Sequence, residues 1–194
     1  MTTILALLTP NYADWEFGLL AAAARGYCEV DVLTASPDGE PVLSMGGLKA
    51  QPDMAFNDID LGKLRALLVI GGTIWESDEA PDTSELLRAA NWDQRLIGAI
   101  CGGTRALASA GLLDRVQHTS NSADYLADVS GYHGRDFYRD IPTALRAGNI
   151  ITAPGTAPVS FMKTVLEALG RGSSNLDYYA GMFGAEHMVG RRAA

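Results

Sequence analysis

The sequence predicts an α/β fold built on a mostly parallel sheet with helices on both faces. Three observations lead there. Short apolar runs of strand length alternate with helix-like segments along the whole chain. Several of these runs end in glycine pairs or turn residues, as buried strands do where they give way to loops. Finally, 194 residues of which 47% are hydrophobic and 20% charged can bury a substantial core. No repeat, linker or low-complexity segment divides the chain, so one domain over 1–194 is expected.

Ile4–Leu8 reads as the first strand. A helix follows over Tyr12–Arg25, with Asn11 as N-cap, an alanine-rich middle and Gly26 as its stop. Cys28–Thr34 gives a second strand, closed by the turn Ser36-Pro37-Asp38-Gly39. Pro41 to Gln51, centred on Gly46-Gly47, predicts a small hairpin at the sheet edge. Arg65–Ile70 is the next buried strand and ends at Gly71-Gly72. Asp82 or Thr83 caps a helix running to about Asn91. Leu96–Ile100 is a strand leading into Cys101-Gly102-Gly103-Thr104 and a helix over Arg105 to Ala110. Val116–Thr119 reads as a strand and Ser122 opens a helix, while Gly131 to Asp140 has no clear period. Ala144–Ala153 reads as a hairpin or strand around Gly148-Asn149. A final amphipathic helix reaches Leu169, with Phe161, Val165 and Leu169 on its core face. A short helix or tail lies beyond Gly170.

Charge narrows the partners. The 15 basic against 23 acidic residues give a formal charge of −8, which disfavours nucleic acid and anionic membranes. Arg191 and Arg192 are the only basic cluster, and they form no stripe. With no signal-peptide pattern and no apolar run of spanning length, a cytoplasmic location is expected. In that reducing compartment Cys28 and Cys101 are free thiols. Their spacing fits no metal site, so neither metal nor cofactor is expected.

The strongest local signal is Ala99-Ile100-Cys101-Gly102-Gly103. An apolar strand ends at the cysteine, a helix begins at once, and small residues stand two positions away on each side. This is the steric requirement of a nucleophile elbow. The helix N-terminus points at the sulfur, which predicts a lowered thiol pKa. Backbone N–H groups of Gly72 and Gly102 are placed to hold an oxyanion formed at an attacked carbonyl. The competing reading makes Cys101 an inert core thiol and the glycines mere loops.

Val69-Ile70-Gly71-Gly72, the cysteine elbow, Ala110-Gly111-Leu112-Leu113 and Ile150-Ile151-Thr152-Ala153 together resemble the ThiJ/PfpI superfamily, of the class I glutamine amidotransferase-like fold. The resemblance runs from the first strand to about Gly170. It implies a flavodoxin-like three-layer sandwich and a homodimer. It also implies a role for Glu16, which by position alone reads as a solvated first-turn acid: in the family the corresponding glutamate lies against the cysteine and shares a proton with it. His118 stands where the family often has a histidine near the cysteine, as general base or substrate contact; otherwise a lone histidine there is structural. Glu76 is a possible third acid, since protease-like members have a glutamate there that works across a subunit contact.

Two departures matter. Protease-like members carry histidine immediately after the cysteine, where this chain has Gly102. Glutamine amidotransferases use a late His-x-Glu pair, whereas Glu186-His187 is adjacent and reversed. The resemblance therefore implies an amidase-like or glyoxalase-type hydrolase or lyase, or an isonitrile hydratase, acting on a small carbonyl or amide compound. The alternative is a redox-responsive stress protein whose Cys101 is oxidised to the sulfinic acid. Trp15, Trp75 and Tyr125 are candidates to line the pocket. Cys28 is expected to be inert, and His133 and His187 to lie on the surface.

Overall fold

A computed structural model describes residues 2–185; Glu186-His187 and Arg191-Arg192 lie outside the described residues. The strands are β1 (Thr2–Leu7), β2 (Val30–Ser36), β3 (Val42–Leu43), β4 (Lys49–Ala50), β5 (Met54–Ala55), β6 (Ala66–Val69), β7 (Leu96–Ile100), β8 (Leu145–Ala147) and β9 (Ile150–Ala153). The helices are α1 (Asp14–Tyr27), α2 (Ser84–Trp92), α3 (Gly103–Ser109), α4 (Asp124–Ala127), α5 (Pro158–Ala168) and α6 (Ser174–Gly184). Seven strands form one sheet in the order β5-β2-β1-β6-β7-β9-β8, and β3-β4 form a separate pair. Every pairing in the large sheet is parallel except β8 with β9. Leaving aside the short edge strands, this is the doubly wound order of a flavodoxin-like sheet, with its switch between β1 and β6.

The sheet is buried on both faces because Ile4–Leu7, Ala66–Val69 and Leu96–Ile100 carry only apolar residues and one glycine, all buried. Ile4, Ala6 and Leu8 join Leu68, Ile70, Ile100 and Phe161 beneath α1, α5 and α6. Leu5 and Leu7 join Leu67, Val69, Ile97, Leu87 and Leu107 beneath α2 and α3. The period-2 alternation of side chains thus sends neighbouring residues to two cores, and a three-layer sandwich results. Strand β7 carries Gly98 because α5 comes close there: an added Cβ would stand 2.7 Å from Leu68 Cδ2 and 3.1 Å from the Phe161 ring.

Several sequence expectations shift. Helix α1 starts at Asp14 with Ala13 as an N-cap that makes no side-chain cap bond, and it runs through Gly26 to Tyr27. Asn11 instead adopts φ 59° in the preceding turn. The Gly46-Gly47 hairpin forms, but as the separate β3-β4 pair; it docks on the β1–α1 loop through Asn11 N–H to the Leu43 carbonyl and Met45 N–H to the Tyr12 carbonyl. β5 takes the sheet edge in its place. Val116–Thr119 is not a strand: His118 makes one isolated bridge with Tyr138, and the Thr119 N–H goes to Thr152 Oγ1 at 2.9 Å. The helix from Ser122 is a single turn, α4, and the tail beyond Gly170 holds the 11-residue α6.

Phe161 is fully buried over Gly98. Phe161→Ala is expected to cost about 3–5 kcal/mol, read as a fall in the urea midpoint without a change of slope. A loss under 1 kcal/mol would contradict the packing described.

Candidate active site

The C-terminal ends of four neighbouring strands converge on Cys101. It follows β7 directly; Gly71 and Gly72 follow β6, Glu16 lies in the first turn of the helix after β1, and Gly155 follows β9. Parallel sheets of this kind bind ligands at that edge.

Cys101 adopts φ 55°, left-handed backbone that costs a non-glycine residue about 1–3 kcal/mol. The conformation is held from several sides. Its N–H donates to the Ala153 carbonyl at 2.9 Å, and its carbonyl accepts from the Thr104 N–H at 3.1 Å and from Thr104 Oγ1 at 2.6 Å. Thr104 Oγ1 also meets Ser120 Oγ at 2.7 Å. Glycine at 103 is obligatory, since any Cβ there would collide with the Val69 carbonyl. The elbow read from the sequence is therefore present, and the thiol is half-buried rather than sealed.

Glu16 is completely buried. Its Oε2 accepts the Gly71 N–H at 2.8 Å, while buried Oε1 has no partner other than the Cys101 thiol. A Cβ at Gly155 would stand 2.8 Å from Cys101 Sγ and 3.2 Å from Glu16 Oε1. One at Gly71 would stand 2.5 Å from Glu16 Oε2 and 2.6 Å from Cys101 Cβ. The acid and the thiol are thus pressed together between two glycines that leave them just enough room.

The electrostatics reverse one expectation. Burial above all pushes Glu16 from its ordinary 4.5 up to about 7, against the stabilising Gly71 hydrogen bond. Burial and then the Glu16 charge push Cys101 from 9.0 up to about 11, opposed by Asn121 and the Gly102 amide. A seven-residue helix supplies too weak a dipole to offset desolvation and an adjacent carboxylate. The low thiol pKa expected from the elbow is therefore not found. The two groups titrate as a pair that holds a single proton between about 7 and 11.

Gly72 and Gly102 come together: a Cβ on Gly102 would lie 2.6 Å from the Gly72 carbonyl oxygen and 3.3 Å from its nitrogen. His118 does not join them. It is fully buried, with Nδ1 against the Val116 carbonyl at 2.8 Å and Nε2 against the Tyr132 hydroxyl at 2.7 Å. Tyr132 and Tyr138 pack edge-on around the ring, and burial lowers its pKa. Both nitrogens are occupied, so His118 is a core histidine that ties down the loop behind the elbow. Trp75 is likewise buried, its indole N–H donating to the Ile70 carbonyl at 2.9 Å; it braces the elbow from below. Trp15, half exposed, reaches the Gly155 carbonyl at 3.4 Å from the rim. Glu76 is exposed and accepts the Tyr125 hydroxyl at 2.7 Å.

Asn121 was not foreseen. Its Nδ2 donates to Cys101 Sγ at 3.3 Å and its Oδ1 accepts the Gly155 N–H at 2.9 Å. The second bond fixes the orientation of the amide, so that the NH2 group faces the sulfur. Nothing local marks this residue in Ser120-Asn121-Ser122; only the loop path set by His118 delivers it. Arg105, also unforeseen, ties the surrounding loops together through the Trp75 and Tyr125 carbonyls at 3.0 and 2.6 Å and Asp128 at 2.8 Å.

An α/β sandwich with a strained cysteine elbow and an adjoining buried glutamate defines a class of cysteine-centred proteins. The profile of the DJ-1/PfpI family matches residues 2–168, and the chain belongs to that family. It is 34% identical over 165 residues to an uncharacterized protease, YoaZ, of Bacillus subtilis, covering 81% of this chain and 78% of that one. It is 28% identical over 152 residues to an isonitrile hydratase of Pseudomonas putida, covering 72% and 63%. Among solved structures, a DJ-1 superfamily protein of Agrobacterium tumefaciens is 41% identical with a TM-score of 0.94, covering 96% of this chain and all of that one.

Two results are expected. Stability should fall as pH rises from about 4.5 to 7, because folded Glu16 holds its proton more tightly than unfolded Glu16. Glu16→Gln should flatten that slope and, at pH 8, be more stable than wild type by up to about 3 kcal/mol; an unchanged slope would contradict the burial described. Second, Asn121→Ala should move the pH profile of Cys101 alkylation by iodoacetamide to higher pH, since the thiolate loses a donor. Glu16→Gln should move it to lower pH. An unaltered profile in Glu16→Gln would remove that residue from the site.

Proposed function

We propose that the protein is a cysteine-dependent enzyme acting on a small carbonyl, amide or isonitrile compound, with Cys101 as nucleophile and Glu16 as proton carrier. The observation that carries this reading is a fully buried carboxyl, Glu16, whose Oε1 has only the Cys101 thiol to bond to. Burying a carboxyl whose one free oxygen faces a thiol is costly, and a proton exchanged between the two offsets that cost. As Sγ bonds to the electrophilic carbon, the thiol proton passes to Oε1. The carbonyl π pair moves onto oxygen, which the Gly72 and Gly102 amides would hold. Protonated Glu16 then returns the proton to the oxygen, or to the amine as the oxyanion collapses and the C–N bond breaks, leaving a thioester on Sγ that water hydrolyses to free the thiol. Because the thiol is not ionised on its own at neutral pH, attack and proton transfer are coupled, which suits an enzyme better than a standing thiolate.

The relatives support this range of chemistry: one is an isonitrile hydratase and another is called a protease. Peptide hydrolysis is the less favoured of these, because Gly102 offers no imidazole next to the thiol. The redox reading has one observation in its favour, since Asn121 and a protonated Glu16 would both donate to a sulfinate oxygen; the raised thiol pKa opposes it. An exposed apolar strip of Trp15, Tyr178, Met182 and Phe183 on α1 and α6 supports the homodimer implied by family membership.

A panel of methylglyoxal, small amides and isonitriles tests the proposal. One class should turn over, Cys101→Ser should abolish that activity, and Glu16→Gln should lower kcat about 10²–10⁴-fold. No turnover anywhere, with rapid peroxide oxidation confined to Cys101, would replace the enzyme with the redox protein.

A further inference from the structure

At the opposite edge of the sheet, four neighbouring strands open a cavity of about 530 Å³. Arg65 enters from the residue before β6, Arg95 from the residue before β7, Asn149 from the residue before β9 and Arg146 from β8. Asp93 and Gln94 complete the polar lining. The five residues of β7, at roughly 3.3 Å each, separate this cavity from Cys101 by about 17 Å. It is no extension of the cysteine site.

The charge here runs against the rest of the molecule. The chain carries −8 overall, yet three guanidinium groups gather with one carboxylate. None of the three arginines forms an ion pair among the described residues. Two of them bond to backbone instead: Arg95 Nη1 to the Leu64 carbonyl at 3.0 Å and Arg146 Nε to the Gly148 carbonyl at 2.9 Å. Those anchors orient the groups while leaving most of their donors open. Arg65 and Arg146 are exposed, and Arg95 is half-buried.

Backbone geometry adds an independent sign. Helix α2 ends with Gln94 N–H on the Asn91 carbonyl at 3.0 Å and Arg95 N–H on the Ala90 carbonyl at 2.9 Å. This is a Schellman end, whose left-handed position glycine usually fills. Gln94 fills it here, at φ 54°, and its amide is pinned to the Asn91 carbonyl at 3.0 Å. Asn149 Nδ2 locks the neighbouring turn to the Arg95 carbonyl and to Asn91 Oδ1. A strained residue with a polar side chain stands where a relaxed glycine would serve the fold alone.

We infer that this arginine cavity binds a small dianion, either a phosphoryl group or a dicarboxylate. Three cations against Asp93 leave two positive charges to match, and the guanidinium fork suits both kinds of oxyanion. The molecule's overall charge repels a polyanion, so the ligand is a small molecule.

Titration of the whole chain with inorganic phosphate and with succinate, at constant ionic strength, tests this by calorimetry and melting temperature. One or both probes should bind saturably, and the one that does identifies the oxyanion. Arg146→Gln and Arg65→Gln, both exposed, should each weaken binding at least tenfold while leaving the melting temperature without ligand within a few degrees of wild type. Cys101→Ser should bind as tightly as wild type, which separates this site from the thiol chemistry. A linear, unsaturable response to both probes, or equal binding in the arginine variants, would overturn the inference.

Discussion

The site depends on one arrangement: a carboxyl group with no access to water, held against a thiol by the Gly71 N–H and sharing its room with nothing larger than a glycine. From it follow the raised pKa of both groups and the need for glycine at 71 and 155. A carboxylate alone in such a place would be expelled or neutralised. A thiol alone would be one more buried cysteine, as Cys28 is, with only a 3.9 Å contact to the Arg171 carbonyl. Together they hold one proton between two buried groups.

The fold serves this pair by geometry more than by stability. Parallel strands aim their carboxyl ends at one edge, so residues distant in sequence, Glu16, Gly71, Cys101 and Gly155, arrive together without long loops. The strain at Cys101 is borne by bonds to Ala153 and Thr104 on elements packed in the two cores. Arg105 and Trp75 then fix the loops around the elbow, with side chains spent on backbone carbonyls rather than on substrate.

Much of this was legible in the sequence. The apolar runs located the central strands to within about two residues, and Ala99-Ile100-Cys101-Gly102-Gly103 announced the elbow. Its strain is a local property of a strand turning straight into a helix. Glu16 was different: a first-turn acid is ordinarily solvated, and only resemblance gave it a partner. Asn121, Gly155 and the engagement of His118 by Val116 and Tyr132 depend on how separate loops meet, which no local pattern records. The error over the thiol pKa has the same origin. A helix N-terminus can be read from sequence, but the desolvation that outweighs it depends on what packs around the sulfur.

Glu16 and Cys101 form a one-proton unit between about pH 7 and 11. Infrared titration of the Glu16 carboxyl band and the Cys101 S–H band, assigned by Glu16→Gln and Cys101→Ser, tests it most directly. Two coupled steps are expected, one near 7 and one near 11, each perturbing both bands. Independent transitions at the ordinary 4.5 for the acid and 9.0 for the thiol, with neither band sensing the other, would contradict it.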